Sequence, residues 1–220
     1  MLHECLGMLE FFDLAAAPSV PWKNGGGSTQ ELVCWPPGAG MAGFEWRVSV
    51  ATIATPGPFS AFPGVDRQIM LLGGDGVQLT GKAAGWEHTL DQARVPFAFA
   101  GEEPVDCQML GGTSTDFNLM VRRGAWRGAL QVVRSAQSLY GMGAGLCMVL
   151  QGTWRWSDGA STRTLAAGQG VWWVNDEHHG EHHEEHQDEC RRVEPVGAAF
   201  NTADGEQSTT LAWIALAPTR

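Results

Sequence analysis

The chain has 220 residues, 44% of them apolar and 17% charged, with 29 Gly and 11 Pro; it is long enough for a sizeable core, which argues against disorder or a fibrous repeat. A formal net charge of -10, with Lys and Arg totalling 14, argues against a nucleic-acid partner, because phosphate binding needs a basic surface. No window approaches the ~18 uninterrupted apolar residues of a membrane span. Glu4, Glu10 and Asp13 interrupt the N-terminal stretch, which has no Lys or Arg before Lys23, so no signal peptide and no membrane partner are expected, and the cytoplasm is the expected location.

Read in chain order, residues 9–17 are the first element expected, a short helix. Next comes Pro21, Trp22, Lys23, Asn24, Gly25, Gly26, Gly27, Ser28, Thr29, Gln30, Glu31. Three successive glycines permit φ > 0 or a close backbone approach, and Lys23 and Asn24 add a cation and an amide. An anion nest and a tight structural loop are both compatible with this segment. Strict alternation over 44–50 turns Phe44, Trp46, Val48 and Val50 one way and Glu45, Arg47 and Ser49 the other, as in a half-buried strand. A second alternating strand over 116–122 places Asp116, Asn118, Met120 and Arg122 on one face. Further strands are expected at 31–35, 68–72, 77–80, 97–100, 105–110, 130–133, 147–150, 153–156, 171–174 and 210–216, and a second short helix at 138–143.

Ile69, Met70, Leu71, Leu72, Gly73, Gly74 can be laid on Cys147, Met148, Val149, Leu150, Gln151, Gly152; each run is followed by a polar hairpin and another apolar strand, which marks an internal repeat. Two antiparallel β units, residues 1–125 and 126–220, are therefore expected. Short strands and hairpins close their edges in a barrel or jelly roll, which makes two cupin-like halves in one all-β chain the leading architecture and a single β-sandwich the other. Cys5, Cys34, Cys107, Cys147 and Cys190 are odd in number and irregularly spaced, which predicts reduced thiols rather than a disulfide framework.

The Pro21–Glu31 string, the 44–49 strand, the run Gly57, Pro58, Phe59, Ser60, Ala61, Phe62, Pro63, Gly64, Val65, Asp66, Arg67, and Asp116 to Met120 together closely resemble the HutD/Ves family, in order and spacing. The resemblance is specific over about residues 21–123 and faint beyond. It implies a cupin-type double-stranded β-helix in two halves (a bicupin), an association with bacterial histidine utilisation, and a role in sensing or regulation without an established reaction. The positions carried over as ligand-binding are Trp22, Lys23, Asn24, Thr29, Glu31, Arg47, Ser49, Ser60, Arg67, Asn118 and Arg122. Pro63 and Gly64 read as a turn, Phe59 as core packing and Asp116 as an orienter of an arginine. Arg forks a carboxylate while Asn and Ser set orientation, so a small anionic partner such as urocanate, formiminoglutamate or formylglutamate is expected. The alternative for each arginine is a structural ion pair, Arg67 with Asp66 or Arg122 with Asp116. Two departures stand out. Ala100, Gly101, Glu102 replace a Phe, Pro, Gly, Asp type of turn, and residues 1–7 precede the usual start.

The HxH pair of metal-holding cupins is absent, and His88 stands alone between His3 and His178, so no metal and no other cofactor is expected in the barrel, and His88 reads as a surface-loop residue. The acidic stretch 176–189 carries His178, His179, His182, His183 and His186; a solvated loop with adventitious metal affinity is the expectation there. The nucleophile candidates Ser60, Cys34 and Cys107 have no histidine partner in the sequence, and Glu31 is a candidate base if it faces a pocket. Non-enzymatic binding is thus the first reading. A metal-independent enzyme for a formyl or formimino derivative of glutamate is the second, and a homodimer is compatible with either.

Overall fold

The computed structural model describes residues 7–139, 142–159, 161–175, 191–196 and 209–219. Its strands in chain order are β1 (Met8–Asp13), β2 (Ser19–Pro21), β3 (Gly27–Trp35), β4 (Trp46–Ile53), β5 (Gly57–Pro58), β6 (Val65–Gly73), β7 (Val77–Gly81), β8 (Trp86–Leu90), β9 (Pro96–Ala100) and β10 (Val105–Met109). They continue with β11 (Ser114–Arg122), β12 (Trp126–Val133), β13 (Gln137–Ser138), β14 (Ala144–Gln151), β15 (Trp154–Asp158), β16 (Thr162–Leu165), β17 (Gln169–Val174), β18 (Arg191–Pro195) and β19 (Thr210–Pro218). Helix is limited, among the described residues, to a 3-10 turn at Leu14–Ala16 and one α turn at Gly40–Gly43. None is long and apolar enough to cross a membrane.

The chain divides into two compact units, one of residues 16–128 with 218–220, the other of residues 1–15 with 129–217. The sequence division after residue 125 differs from this chiefly at the chain ends, because β1 pairs with β17 along its whole length and so joins the second unit. That pairing also corrects the helix expected at 9–17: its apolar residues Leu9 and Phe11 are set two apart on one face and pack on the second core. No helix forms at the described residues of 138–143 either, and 140–141 lie outside the described residues.

In the first unit a six-stranded sheet, β2-β3-β4-β11-β6-β9, accompanies a four-stranded one, β5-β10-β7-β8. The second unit has β1-β17-β14-β19-β12 and β13-β18-β15-β16. Adding eight to each of β4-β11-β6-β9 and β5-β10-β7-β8 yields the second unit's order, so the repeat seen at 69–74 and 147–152 extends to the whole strand pairing. Each unit then adds its own edge, β2-β3 or β1. The repeat turns at equivalent glycines, Gly74 at φ +94 and Gly152 at φ +78, a region that L side chains enter at a steric cost.

Alternation in β4 and β11 predicts one solvent-facing side. Instead both strands are buried on both faces, apart from Thr52, Thr115 and Arg122. The polar face of each strand turns toward the interior of the first unit, where Ile53, Ile69, Leu71, Val77, Leu79, Leu90, Phe99, Val105 and Cys107 form the core. Burying apolar side chains there contributes about 25 cal/mol per Å².

Candidate functional site

Strand register assembles the polar side chains. Across β4, β11 and β6, Ser49 pairs with Asn118 and Asn118 with Ile69, while Arg47 pairs with Met120 and Met120 with Arg67. Asp116 lies between Ala51 and Leu71 one step along. Since residues two apart share a face, Arg47, Ser49, Asp116, Asn118 and Arg67 stand on the same interior side as Ile69 and Leu71. All five are buried, Arg47 and Arg67 to 8% residual exposure.

Two hydrogen-bonded groups result. Arg47 donates from Nε to Glu31 Oε2 at 2.7 Å and from Nη1 to Ser49 Oγ at 3.2 Å. The Glu31 side chain is 48% exposed, so this ion pair is water-screened and contributes about 0–1 kcal/mol. Arg67 donates from Nη2 to Asn118 Oδ1 at 3.0 Å, and Asn118 Nδ2 donates to Asp116 Oδ2. The Arg67 guanidinium is caged by rings, with Phe99, Phe59 and Phe62 centroids at 4.9, 5.3 and 5.7 Å, each favourable for a desolvated cation. Two atoms in this cluster have no hydrogen-bond partner among the described residues, the Arg67 Nε–H and Asp116 Oδ1.

Burial dominates the electrostatics. It pushes the Asp116 carboxyl up to about 7 against the opposing pull of Arg67 and Asn118, and it lowers Arg67 to about 10, with Asp116 raising and Arg47 further lowering it. Arg67 therefore stays cationic at neutral pH while Asp116 titrates there. The Cys107 thiol, buried and sensing Asp116, is pushed up to about 12 and is not a thiolate.

Of the positions singled out in the sequence, Glu31, Arg47, Ser49, Arg67 and Asn118 come together. Trp22, Asn24 and Thr29 hold the β2–β3 turn: Trp22 Nε1 donates to Thr29 Oγ1 at 2.8 Å, and Asn24 Oδ1 accepts from the Gly26 amide at 3.0 Å. The glycines serve that turn. Gly25 has φ +71, and a Cβ on Gly27 would lie 2.1 Å from the Thr52 carbonyl. The adjoining cavity, lined by Trp22, Asn24 and Phe59 among others, holds about 10 Å³, room for about one water. Lys23 and Ser60 are exposed.

Arg122 turns outward from the cluster. It donates to the Phe44 and Ala42 carbonyls at 2.8 and 3.2 Å. The anticipated ion pairs are also corrected: Asp66 is taken by Arg123 at 2.9 Å, leaving Arg67 to Asp116, and Arg122 has no part in that pair. His88 lies in β8, not in a loop, stacked on Phe97 at 3.7 Å. The histidines of 176–189 lie outside the described residues; among the described residues no three His, Cys, Asp or Glu side chains gather as metal ligands. Cys34, Cys107 and Cys147 are free thiols, and Cys5 and Cys190 lie outside the described residues. Sequence reasoning left out the Phe59, Phe62 and Phe99 cage and gave Asp116 only an orienting part. The signals were present in the Phe-Ser-Ala-Phe run and in the two-residue step from Asp116 to Asn118.

Paired sheets repeated in one chain define an all-β protein of the cupin type. A cupin 2 conserved barrel domain protein from Leptotrichia buccalis shares the fold with TM-score 0.54 at 8% identity, over 94% of this chain and 96% of that one. The HutD family model matches residues 14–190, and the chain belongs to that family. Protein Ves of Cronobacter sakazakii is 39% identical over 171 residues, 77% of this chain and 90% of that protein. The structure of HutD from Pseudomonas fluorescens SBW25 aligns with TM-score 0.73 at 25% identity, covering 97% of this chain and all 100% of that one.

Proposed function

We propose that this chain is a non-enzymatic sensor or regulator associated with histidine utilisation, and that it binds a small carboxylate in the first unit beside Arg47 and Arg67. Urocanate, formiminoglutamate and formylglutamate are the candidate ligands. One observation carries the reading: a buried Arg67 guanidinium, caged by three rings, retains an Nε–H with no hydrogen-bond partner among the described residues. A buried donor without a partner costs about 1–3 kcal/mol, and a carboxylate oxygen satisfies it with a charge-assisted bond. Phe62 links this cluster to the surface, because it also lines an open depression of about 380 Å³ with Met41, Ala61, Pro63 and Arg122.

Titration calorimetry with the three candidates, followed by mass spectrometry of the incubated ligand, tests the reading. Binding with the ligand recovered intact is the expected outcome. Conversion of a ligand would instead favour an enzyme acting on the formyl or formimino group. Asp116 supports that second reading, since a buried carboxyl titrating near neutrality suits general acid–base work.

A further inference from the structure

The hydrogen bonds inside the cluster fix how Asn118 is oriented. Its amide oxygen must face the Arg67 donor and its NH₂ must face the Asp116 acceptor; the reverse orientation sets donor against donor and acceptor against acceptor. Asn118 is thus committed at both ends, and the chain Arg67, Asn118, Asp116 ends in two open positions. One is a donor, Arg67 Nε–H, and the other an acceptor, Asp116 Oδ1, both buried and without partners among the described residues. An anion alone fills only the donor. It also places a second negative charge beside a carboxylate in a region of low dielectric, where like charges are not both retained.

We infer that Asp116 sets the specificity of this site by requiring one hydrogen-bond donor from every occupant: it admits a carboxylate that carries an N–H, or a bare carboxylate together with one proton. The inference rests on the carboxylate reading above. In the first case the ligand N–H donates to Asp116 Oδ1 while the ligand carboxylate accepts from Arg67. In the second, a proton from solvent is taken up on Asp116 Oδ1, and the resulting O–H donates to the ligand carboxylate. No covalent bond other than that O–H is made.

The surroundings leave Asp116 as the group that responds. From β6 it faces Arg67, which remains charged. On β4, Arg47 is engaged by Glu31 of β3 and by Ser49. From β10 of the other sheet, Cys107 stays a neutral thiol. With Asp116 raised to about 7, a nearby anion raises it further, so the linked proton is taken up above neutrality and is already in place below it.

Calorimetry at pH 6, 7 and 8 in buffers of different ionisation enthalpy counts the protons bound with each ligand. Glutarate, which has no N–H, and N-formylglutamate, which has one, are the probes, on the intact chain and on Asp116→Asn. For glutarate we expect close to one proton taken up at pH 8, with affinity falling about fivefold from pH 7 to pH 8, as one proton linked to a group titrating near 7 dictates. N-formylglutamate should bind with little proton uptake and less than about a twofold change over the same step. In Asp116→Asn the glutarate uptake should vanish. Glutarate binding at pH 8 without proton uptake, or uptake that persists in Asp116→Asn, overturns the inference and leaves the carboxylate reading in place. Neither probe binding at any pH overturns the carboxylate reading and this inference with it. The contrast between the two probes on the unmodified chain stands whether or not the variant folds.

Discussion

The two units share one strand order but fill their interiors differently. In the first, Arg67, Ile69 and Leu71 of β6 face Met120, Asn118 and Asp116 of β11. The matching pairs in the second are Gly145 with Ala215, Cys147 with Trp213 and Val149 with Leu211. Arg67 of β6 also lies opposite Phe99, whereas Gly145 lies opposite Trp173. Where the first unit stacks a guanidinium on a phenyl ring, the second removes the side chain altogether and fills the space with an indole. A Cβ on Gly145 would stand 2.3 Å from the Trp173 ring. Every described buried polar side chain except Thr210 belongs to the first unit. A shared framework therefore carries two kinds of interior, one with buried charged and amide side chains and one given over to packing of Trp154, Trp156, Trp173 and Trp213.

The sharpest way to break this contrast is to erase the charge from the polar interior. Arg67→Met should weaken binding of the candidate carboxylates by about thirtyfold or more by calorimetry, since truncating one member of a buried charge pair costs about 2–5 kcal/mol. Unchanged affinity would place the ligand elsewhere. Next in size, Gly145→Ala forces a methyl against the Trp173 ring and the Ile214 carbonyl. It should cost about 2 kcal/mol through overpacking, seen as a fall of about 4–8 °C in melting temperature. An unshifted transition would mean the second interior is loosely filled.

A smaller effect tests the cost of the polar interior. Asp116 titrates higher in the folded chain, about 7, than the usual 3.8, so the folded state holds its proton more tightly. Stability from this group is present below pH ~4 and lost as pH rises through about 7. Asp116→Asn should accordingly raise the melting temperature at pH 8 by a few degrees, about 1 kcal/mol or more, and leave it unchanged at pH 4. A gain of equal size at both pH values would show that ionisation is not the cause. Smallest of all, Lys23→Ala should change ligand affinity less than about twofold, as expected of an exposed lysine in the turn between β2 and β3. A tenfold loss would return the glycine turn to the binding site.

Much of this was legible in the residues, for identifiable reasons. Alternation placed Arg47 and Ser49 on one side of β4 and Asp116 and Asn118 on one side of β11, because a period of two survives any packing. The repeat at 69–74 and 147–152 was visible because a glycine ends both strands. What alternation does not reveal is which side faces water, so the polar face looked solvated until Arg47, Ser49 and Arg67 proved to be buried. Residues 9–17 misled because a short apolar run fits a helix or a strand equally well, and only the pairing of β1 with β17 decides. The choice of Arg67's carboxylate partner was likewise out of reach. Asp66 is its neighbour in sequence but points to the opposite face of β6, and Asp116, 49 positions later in number, shares its side.

Gly145 and Trp173 also constrain how this chain can change over generations. An arginine at 145 would collide with the indole, and a smaller residue at 173 placed first would leave a void in a core that closes around it. Either single step passes through a less stable chain, and only the double change reaches a second guanidinium. If the two halves descend from one duplicated ancestor, the exchange acts as a ratchet that confines new binding chemistry to the first half.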